Sequence, residues 1–542
     1  MQSRVLLGDE ALAQGAIDAG ISGAYAYPGT PSTEITEYIQ RSEPGRNGRI
    51  HCRWSTNEKT ALEAALGMSY AGKRAMASMK HVGLNVAADP FINAAIAGAN
   101  GGLIVSVADD PSMHSSQNEQ DSRFYAEFAL IPCIEPSTQQ EAYQAPGYAF
   151  DLSERYRVPV MIRLTTRLAH SRTIVRLASP RRASPREENT ISLPRDPRKY
   201  ILLPVNARVN YLNLVNRQPQ LLAESEKSPF NTYTDRSNRS LGIIACGIAY
   251  NYVMEVYGGA CPHPLLKISQ YPAPVKQIER LLTECERILI LEEGYPFLEA
   301  KLRGLPGRTT PEIRGRMDGT VPRTGELTPG IVAAALGLGK DESLPPSSIP
   351  APRPPALCIG CPHADTYRAL NAAMEGHESG RVFSDIGCYT LGALPPLEAI
   401  HTCIEMGASI TMAKGAADAG VRPVIAVIGD STFTHSGMTG LLDCVAEGTP
   451  ITVLILDNLT VAMTGGQDSN ATNRLAAICH GLGISPEHTQ TIVPLPVEHE
   501  KNVAILAKEI AYDGPSVIIA ERECVQTARK HAKQSATEGG TR

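Results

Sequence analysis

Nowhere does this 542-residue chain carry an apolar run near the ~18 residues needed to span a bilayer. Insertion into a membrane is therefore not expected. Nor does one sign of charge dominate. A formal net charge of −5 leaves no electrostatic footprint for nucleic acid, and that partner class is set aside. The short apolar patch at the start meets Asp9 and Glu10 at once, which is not the pattern of a signal peptide, so the chain reads as cytoplasmic. No repeat of solenoid length is present. The 12 cysteines stand singly apart from the Cys358/Cys361 pair. In a long chain without a secretory signal they suggest reduced thiols or metal ligands, not a disulfide framework. What remains is 43% hydrophobic and 20% charged, enough for roughly three or four ordinary domains.

Three strand–helix blocks alternate with irregular stretches. In the first, Ala24–Tyr27 reads as a short buried strand, followed by Pro28-Gly29-Thr30-Pro31 turning into a helix. Thr30 suits the N-cap and Pro31 the first helical position, with Glu34 favouring the positive end of the dipole. Asn57–Tyr70 reads as a helix rich in small residues, and Leu103–Val107 and Val158–Leu164 as strands. The stretch from Ser171 to Ser240 is punctuated by Ser-Pro-Arg sequences and reads as a connector over the surface, although Asn206–Glu226 could form one helix. The second block offers strands at Gly242–Ala245, Leu265–Ile268 and Ile288–Leu291. A Pro/Ser-rich linker follows, then a third block with strands at Val424–Ile428, Ile451–Leu456 and Val517–Ala520. Strands alternating with helices imply an α/β fold of parallel sheets covered by helices.

The third block carries the most informative passage. Val424-Ile-Ala-Val-Ile-Gly429-Asp430-Ser431 precedes a helix from about Gly437 to Glu447, then Ile451-Thr-Val-Leu-Ile-Leu-Asp457-Asn458 and Thr464-Gly465-Gly466. Ligands of open parallel sheets bind at the carboxyl ends of strands. Neighbouring parallel strands would bring Asp430 and Asn458 together as two oxygen donors, which suits Mg²⁺ shared with phosphates. Gly429 and Gly437 permit close backbone approach. Each half alone is ordinary turn chemistry. The combination resembles the thiamine-diphosphate motif, which begins Gly-Asp and ends in Asn. In that family the carbonyl two residues beyond the Asn, here Thr460, completes the metal's protein ligands.

Thiamine chemistry also needs a carboxyl group on the aminopyrimidine ring. Glu58, just before the small-residue helix, is the candidate over Glu63, though both could be surface carboxylates.

With these residues in hand, the chain resembles alpha subunits of the indolepyruvate branch of the 2-oxoacid:ferredoxin oxidoreductases. The likeness runs through Gly8-Asp-Glu-Ala-Leu-Ala, Tyr27-Pro-Gly-Thr-Pro-Ser-Thr-Glu34, Met79-Lys-His-Val-Gly-Leu-Asn85, Cys358-Ile-Gly-Cys-Pro-His363, Asp385-Ile-Gly-Cys388 and Gly429-Asp-Ser-Thr-Phe-Thr-His435. It implies a pyrimidine-binding domain over residues 1–175, an irregular connector over 176–239 and a transketolase C-terminal-like domain over 240–340. A Pro-rich linker over 341–356, a diphosphate-binding domain over 357–530 and a polar tail over 531–542 would follow. It implies oxidative decarboxylation of an aryl or other bulky 2-oxoacid to an acyl-CoA, with thiamine diphosphate and Mg²⁺ as cofactors and CoA as co-substrate. Thr30 would lie near the substrate, Glu58 would activate the pyrimidine, and His81 and His435 would face the reaction centre. Ser431 and Gly465 would join Gly429 around the diphosphate. Where pyruvate enzymes place a carboxylate-gripping arginine, this chain has Asp109-Asp110-Pro111, and Arg123 is the substitute on offer.

Cys358 and Cys361 alone could be a zinc half-site, a dithiol or incidental thiols. The resemblance implies a [4Fe–4S] cluster on Cys358, Cys361, Cys388 and Cys524. The family continues into a ferredoxin-like tail with closely spaced cysteines, whereas no cysteine follows Cys524 here. Electrons are then expected to leave through a smaller gamma- or beta-type subunit, ferredoxin or another acceptor. Thiamine sites commonly span domain or subunit interfaces, so a dimer of this chain is compatible with the sequence. A non-oxidative decarboxylase or carboligase, and a non-catalytic thiamine-binding subunit, are the alternatives.

Overall fold

The computed structural model describes residues 3–178, 191–194, 196–304, 311–339, 349, 351, 355–530 and 532. The Ser-Pro-Arg stretch at 179–186, most of the linker at 341–356 and most of the tail at 531–542 lie outside the described residues. The chain divides into two compact units, Met1–Pro346 and Ser347–Arg542.

The first unit holds two large sheets. A seven-stranded sheet runs in the order Gln270–Tyr271, Cys133–Ile134, Val160–Thr165, Leu103–Asp109, Ala75–Lys80, Gly23–Ala26, His51–Trp54. All its neighbours are parallel except the first pair. The five-stranded sheet runs Glu312–Arg314, Arg287–Leu291, Gly242–Cys246, Leu265–Ile268, Thr232–Thr234, with only the last pair antiparallel. Leu103–Asp109 and Gly242–Cys246 are buried along their whole length. Such near-continuous apolar strands are what a parallel sheet with both faces covered demands.

Gln270–Tyr271, from the second block, adds to the edge of the first sheet. A buried ionic network extends that union. Arg123 Nη1 donates to Glu292 Oε2 (3.0 Å) and Tyr271 OH (3.1 Å), and Arg163 Nη2 donates to the Glu293 carbonyl (3.1 Å). Asp121, Asp109 and Glu135 neutralise the two guanidinium groups. With both guanidinium groups ion-paired, the two arginines can stay dry.

The stretch read as a surface connector is in part a long helix, Pro204–Glu226. It buries Asn210, Leu214, Leu221 and Ser225 against the unit while Val205, Val209 and Leu212 face outward. That mixed outer face hides the helical period in the sequence.

The second unit is built on a six-stranded, wholly parallel sheet in the order Thr402–Cys403, Arg381–Ser384, Val424–Gly429, Thr452–Asp457, Ser516–Glu521, Thr489–Ile492. Side chains alternate across it. Ile425, Val427, Leu454 and Leu456 pack with Tyr367, Leu370 and Leu506. Val424, Ala426, Ile428, Val453 and Ile455 pack with Ile410, Phe433 and Leu441. Helices thus cover both faces, and the α/β class read from the sequence holds. No helix among the described residues is long and apolar enough to cross a membrane.

Candidate functional site

In the second unit, polar residues gather where four consecutive strands end. Cys388 follows Arg381–Ser384, Asp430 follows Val424–Gly429, Asn458 follows Thr452–Asp457, and Cys524 follows Ser516–Glu521. The parallel register pairs Gly429 with Leu456, so Asp430 and Asn458 emerge from the same edge of adjacent strands. The carbonyl of Asn458 accepts a hydrogen bond from the Cys524 amide (3.1 Å).

Asp430 is buried, and its Oδ2 has no hydrogen-bond partner. Burial pushes its carboxyl up to about 7, against the pull of a Ser469 hydrogen bond, and Asp457 raises it further. An orphaned carboxylate oxygen in such a place fits a cation ligand. A π-turn, Phe433–Gly437, interrupts the helix that starts at Asp430 and continues through Met438–Glu447, a distortion common at functional sites. His435 lies in that turn, buried, with Nδ1 against Ser436 Oγ. Leu459 sits at φ 62°, the left-handed region that a leucine rarely adopts, between Asn458 and Thr460. Its amide donates to Asp457 Oδ1 (3.0 Å), and Thr460 N–H donates to Asn458 Oδ1 (3.3 Å). Gly465 and Gly466, at φ 119° and 88°, turn the chain back between the short strands Thr460–Val461 and Gln467–Asp468.

The sequence reading missed His363. It is buried, and Asn458 Nδ2 donates to its Nε2 (3.2 Å). Burial holds the imidazole down to about 4, so near neutral pH it is an uncharged acceptor. That bond fixes the orientation of the Asn458 amide, whose Oδ1 faces the Thr460 amide. Its place two residues after the Cys-x-x-Cys was the available signal.

Cys358, Cys361, Cys388 and Cys524 line one cavity of about 270 Å³, together with His363 and Asn458. Burial, then the neighbouring thiols, push Cys388 up to about 12, and burial likewise raises Cys361. Four thiols around one cavity, which Lys530 also lines, fit a site that binds iron as thiolates. Gln526 Nε2 donates to Cys358 Sγ (3.3 Å). Of the other cysteines, Cys52, Cys133, Cys246, Cys261, Cys285, Cys444 and Cys479 are buried free thiols, and Cys403 is partly exposed.

In the first unit the same rule of strand ends applies. Glu58 opens the helix Glu58–Tyr70, with Asn57 as N-cap accepting from the Thr60 amide (2.9 Å). Only 4% of Glu58 is exposed. Its carboxyl lies over Gly83, where an added Cβ would come within 2.5 Å of Oε1, so a larger residue there would displace the Glu58 side chain. His81 is buried at the end of Ala75–Lys80, its Nε2 3.0 Å from the Asn118 carbonyl and its Nδ1 without a partner.

Thr30 is not the N-cap expected. The helix begins at Thr33, with Ser32 before it. The Gly29 amide donates to Thr33 Oγ1 (3.0 Å) and Ser32 Oγ donates to the Gly29 carbonyl (2.7 Å), closing a turn that holds Thr30 ahead of the helix. Ser115 Oγ donates to the Thr30 carbonyl (3.2 Å).

Arg123 cannot serve as the substrate grip. It is 1% exposed, and its donors are taken by Asp121, Glu292, Tyr271 and two carbonyls. Lys80 is the cation the sequence reading passed over. Its Nζ donates to the Ser115 carbonyl (3.0 Å), and burial lowers its pKa while Asp110 and Glu58 raise it. Asp110 in turn accepts from Ser116 (2.7 Å) and Thr166 (2.6 Å).

The fold and these sites define a thiamine-diphosphate enzyme. Residues 14–220 match the family model described as "Pyruvate flavodoxin/ferredoxin oxidoreductase, thiamine diP-bdg", and residues 385–520 match "Thiamine pyrophosphate enzyme, C-terminal TPP binding domain". Among curated proteins, the chain is 38% identical over 546 residues to the indolepyruvate oxidoreductase subunit IorA of Archaeoglobus fulgidus, covering 96% of this chain and 86% of that protein. The IorA subunit of Methanothermobacter thermautotrophicus is 36% identical over 545 residues, with the same coverage of 96% and 86%. A solved 2-oxoglutarate:ferredoxin oxidoreductase from Magnetococcus marinus aligns with TM-score 0.49 and 16% identity, covering 62% of this chain and 65% of that one. The chain belongs to the family of indolepyruvate oxidoreductase subunit IorA.

Proposed function

We propose that this chain is the catalytic subunit of an enzyme that oxidatively decarboxylates an aryl or other bulky 2-oxoacid, indolepyruvate in type, to an acyl-CoA. In this reading CoA is the co-substrate, and a smaller subunit and ferredoxin or another acceptor carry the electrons away. The observation that carries it is the gathering of Asp430, Asn458 and the cysteines at the ends of four adjacent strands. The names of the relatives support the substrate class. Residues 1–175 take the pyrimidine-binding role, 240–340 the transketolase C-terminal-like role and 357–530 the diphosphate-binding role.

When bound, thiamine diphosphate supplies the electron sink that lets a 2-oxoacid lose CO₂, and a [4Fe–4S] cluster supplies a one-electron acceptor. Mg²⁺ is assigned to Asp430, Asn458 Oδ1 and the Thr460 carbonyl, with Gly429, Ser431 and Gly465 around the diphosphate. The orphaned oxygen of Asp430 and the held conformation of Leu459 support that assignment. Neutral His363 keeps the Asn458 amide in its ligating orientation. Glu58 holds a hydrogen bond at the pyrimidine ring nitrogen. Thr30, His81 and His435 are assigned to the surroundings of the substrate, where His81 Nδ1 has a lone pair or proton to offer. Lys80 grips the substrate carboxylate in place of the missing arginine. Lys80→Met is then expected to raise KM for the 2-oxoacid roughly tenfold or more, with a smaller change in kcat. Steady-state kinetics with an unchanged KM would remove Lys80 from the site.

The cluster belongs to Cys358, Cys361, Cys388 and Cys524. Protein prepared without oxygen is expected to contain iron and acid-labile sulfide, and Cys388→Ser to lose most of both. Full retention in that variant would contradict the ligand set. The whole reading is tested by supplying 2-oxoacid, CoA and an electron acceptor and measuring acyl-CoA. Aldehyde or acyloin formed without CoA or acceptor would instead mark a non-oxidative enzyme.

A further inference from the structure

Three helix ends meet in the first unit. The helices Gly8–Asp18 and Thr33–Arg41 begin there, and Thr166–His170 ends there. Gly8 packs so tightly on the Leu168 carbonyl that an added Cβ would lie 2.2 Å from its oxygen, so these segments are fixed against each other. Asp9, Glu34 and His170 bring one ligand atom each to within 4.8 Å of one another. His170 Nε2 stands 3.4 Å from Glu34 Oε2.

Asp9 is the anomaly. It is fully buried, and neither carboxylate oxygen has a hydrogen-bond partner. A buried carboxylate left alone is costly, and proteins relieve it by pairing, by protonation or with a metal. Among the described residues no Lys or Arg pairs with it. Burial, then Glu34 and Glu10, hold its carboxyl well above the usual range. Glu34 and His170 are each about one-third exposed (35% and 33%), which leaves an entry path and room for water ligands.

We propose that Asp9, Glu34 and His170 form a binding site for a divalent first-row cation, separate from the cation assigned to the cofactor diphosphate. Ligands held about 2.0–2.2 Å from an ion lie roughly 3–4.4 Å apart, so small side-chain shifts close this cluster around one. Two carboxylates and an imidazole suit Mn²⁺, Fe²⁺ or Zn²⁺ better than the all-oxygen ions or soft Cu⁺. His170 would coordinate through Nε2, and Asp9 and Glu34 through carboxylate oxygens. The bound ion ties together the three helix ends, one of which is entered from the turn that carries Thr30.

The test uses the untagged full chain, stripped with chelator and free of thiamine diphosphate, titrated with Mn²⁺ alone while electron paramagnetic resonance follows the free ion. One saturable Mn²⁺ is expected in the wild type and in Asp430→Asn. It should weaken roughly tenfold or more in His170→Gln and vanish in Asp9→Asn. Mn²⁺ should likewise raise the Tm of the wild type and not that of His170→Gln. Absence of saturable uptake by the wild type, or uptake unchanged in His170→Gln, overturns the proposal. Should Asp9→Asn not fold, the partly exposed His170 decides the matter alone.

Discussion

Glu58→Ala is expected to lower kcat by about 10²–10⁴-fold while thiamine diphosphate still binds. The position follows from local chemistry. Asn57 caps the helix, so Glu58 becomes its first residue, and the bare backbone of Gly83 gives its carboxyl a buried berth. A carboxyl that only shaped the helix end would change stability, and kcat only in proportion to the folded fraction. Glu58→Gln separates the two cases, because it preserves size and neutral hydrogen bonding but cannot exchange the proton. It should fold as the wild type does and remain strongly impaired. Unchanged turnover in either variant would remove Glu58 from the chemistry.

Asp430→Asn is expected to weaken Mg²⁺-dependent uptake of thiamine diphosphate by roughly 100-fold or more. Residues that merely support a metal ligand typically cost 10–100-fold, and a ligand should exceed that. The same substitution has an opposite signature in the absence of cofactor. The carboxyl of Asp430 is raised to about 7 from an ordinary 3.8, chiefly by burial. The folded state therefore holds a proton that the unfolded chain releases, and stability falls as pH rises from about 4 to about 7. Removing the charge should then raise the Tm of cofactor-free protein at pH 8 and make little difference at pH 4. A site residue thus costs stability where a structural aspartate would add it. Differential scanning calorimetry at the two pH values reads this directly, and a lower Tm for the variant at pH 8 would contradict it.

How much of this could be read beforehand depended on how local each signal was. Asp430 and Asn458 were legible because each closes a buried strand, and parallel register alone carries one beside the other. Glu58 was picked out at the head of a small-residue helix, and it is that helix's first residue and buried. The chain near Thr30 was misread because Thr30-Pro31 looks like a helix start, whereas hydrogen bonds from Ser32 and to Thr33 delay the helix to Thr33. Arg123 was misplaced because its burial depends on Glu292 and Tyr271, far away in sequence. No window around residue 123 contains them. Lys80 and His363 sit beside residues already singled out, but their hydrogen-bond partners, Ser115 and Asn458, lie far off in sequence. The Asp9–Glu34–His170 cluster shows the limit most plainly. Its members come from three separate helix ends, and none is unusual alone.

The central claim is that a carboxylate and an amide at two sheet-strand ends hold a cation for the diphosphate of thiamine. Calorimetric titration of the anaerobically prepared full chain with thiamine diphosphate, with Mg²⁺ and again with chelator, tests it most directly. One cofactor per chain should bind with Mg²⁺, and essentially none once the cation is removed. Binding that ignores the cation, or no binding in either condition, would contradict the account.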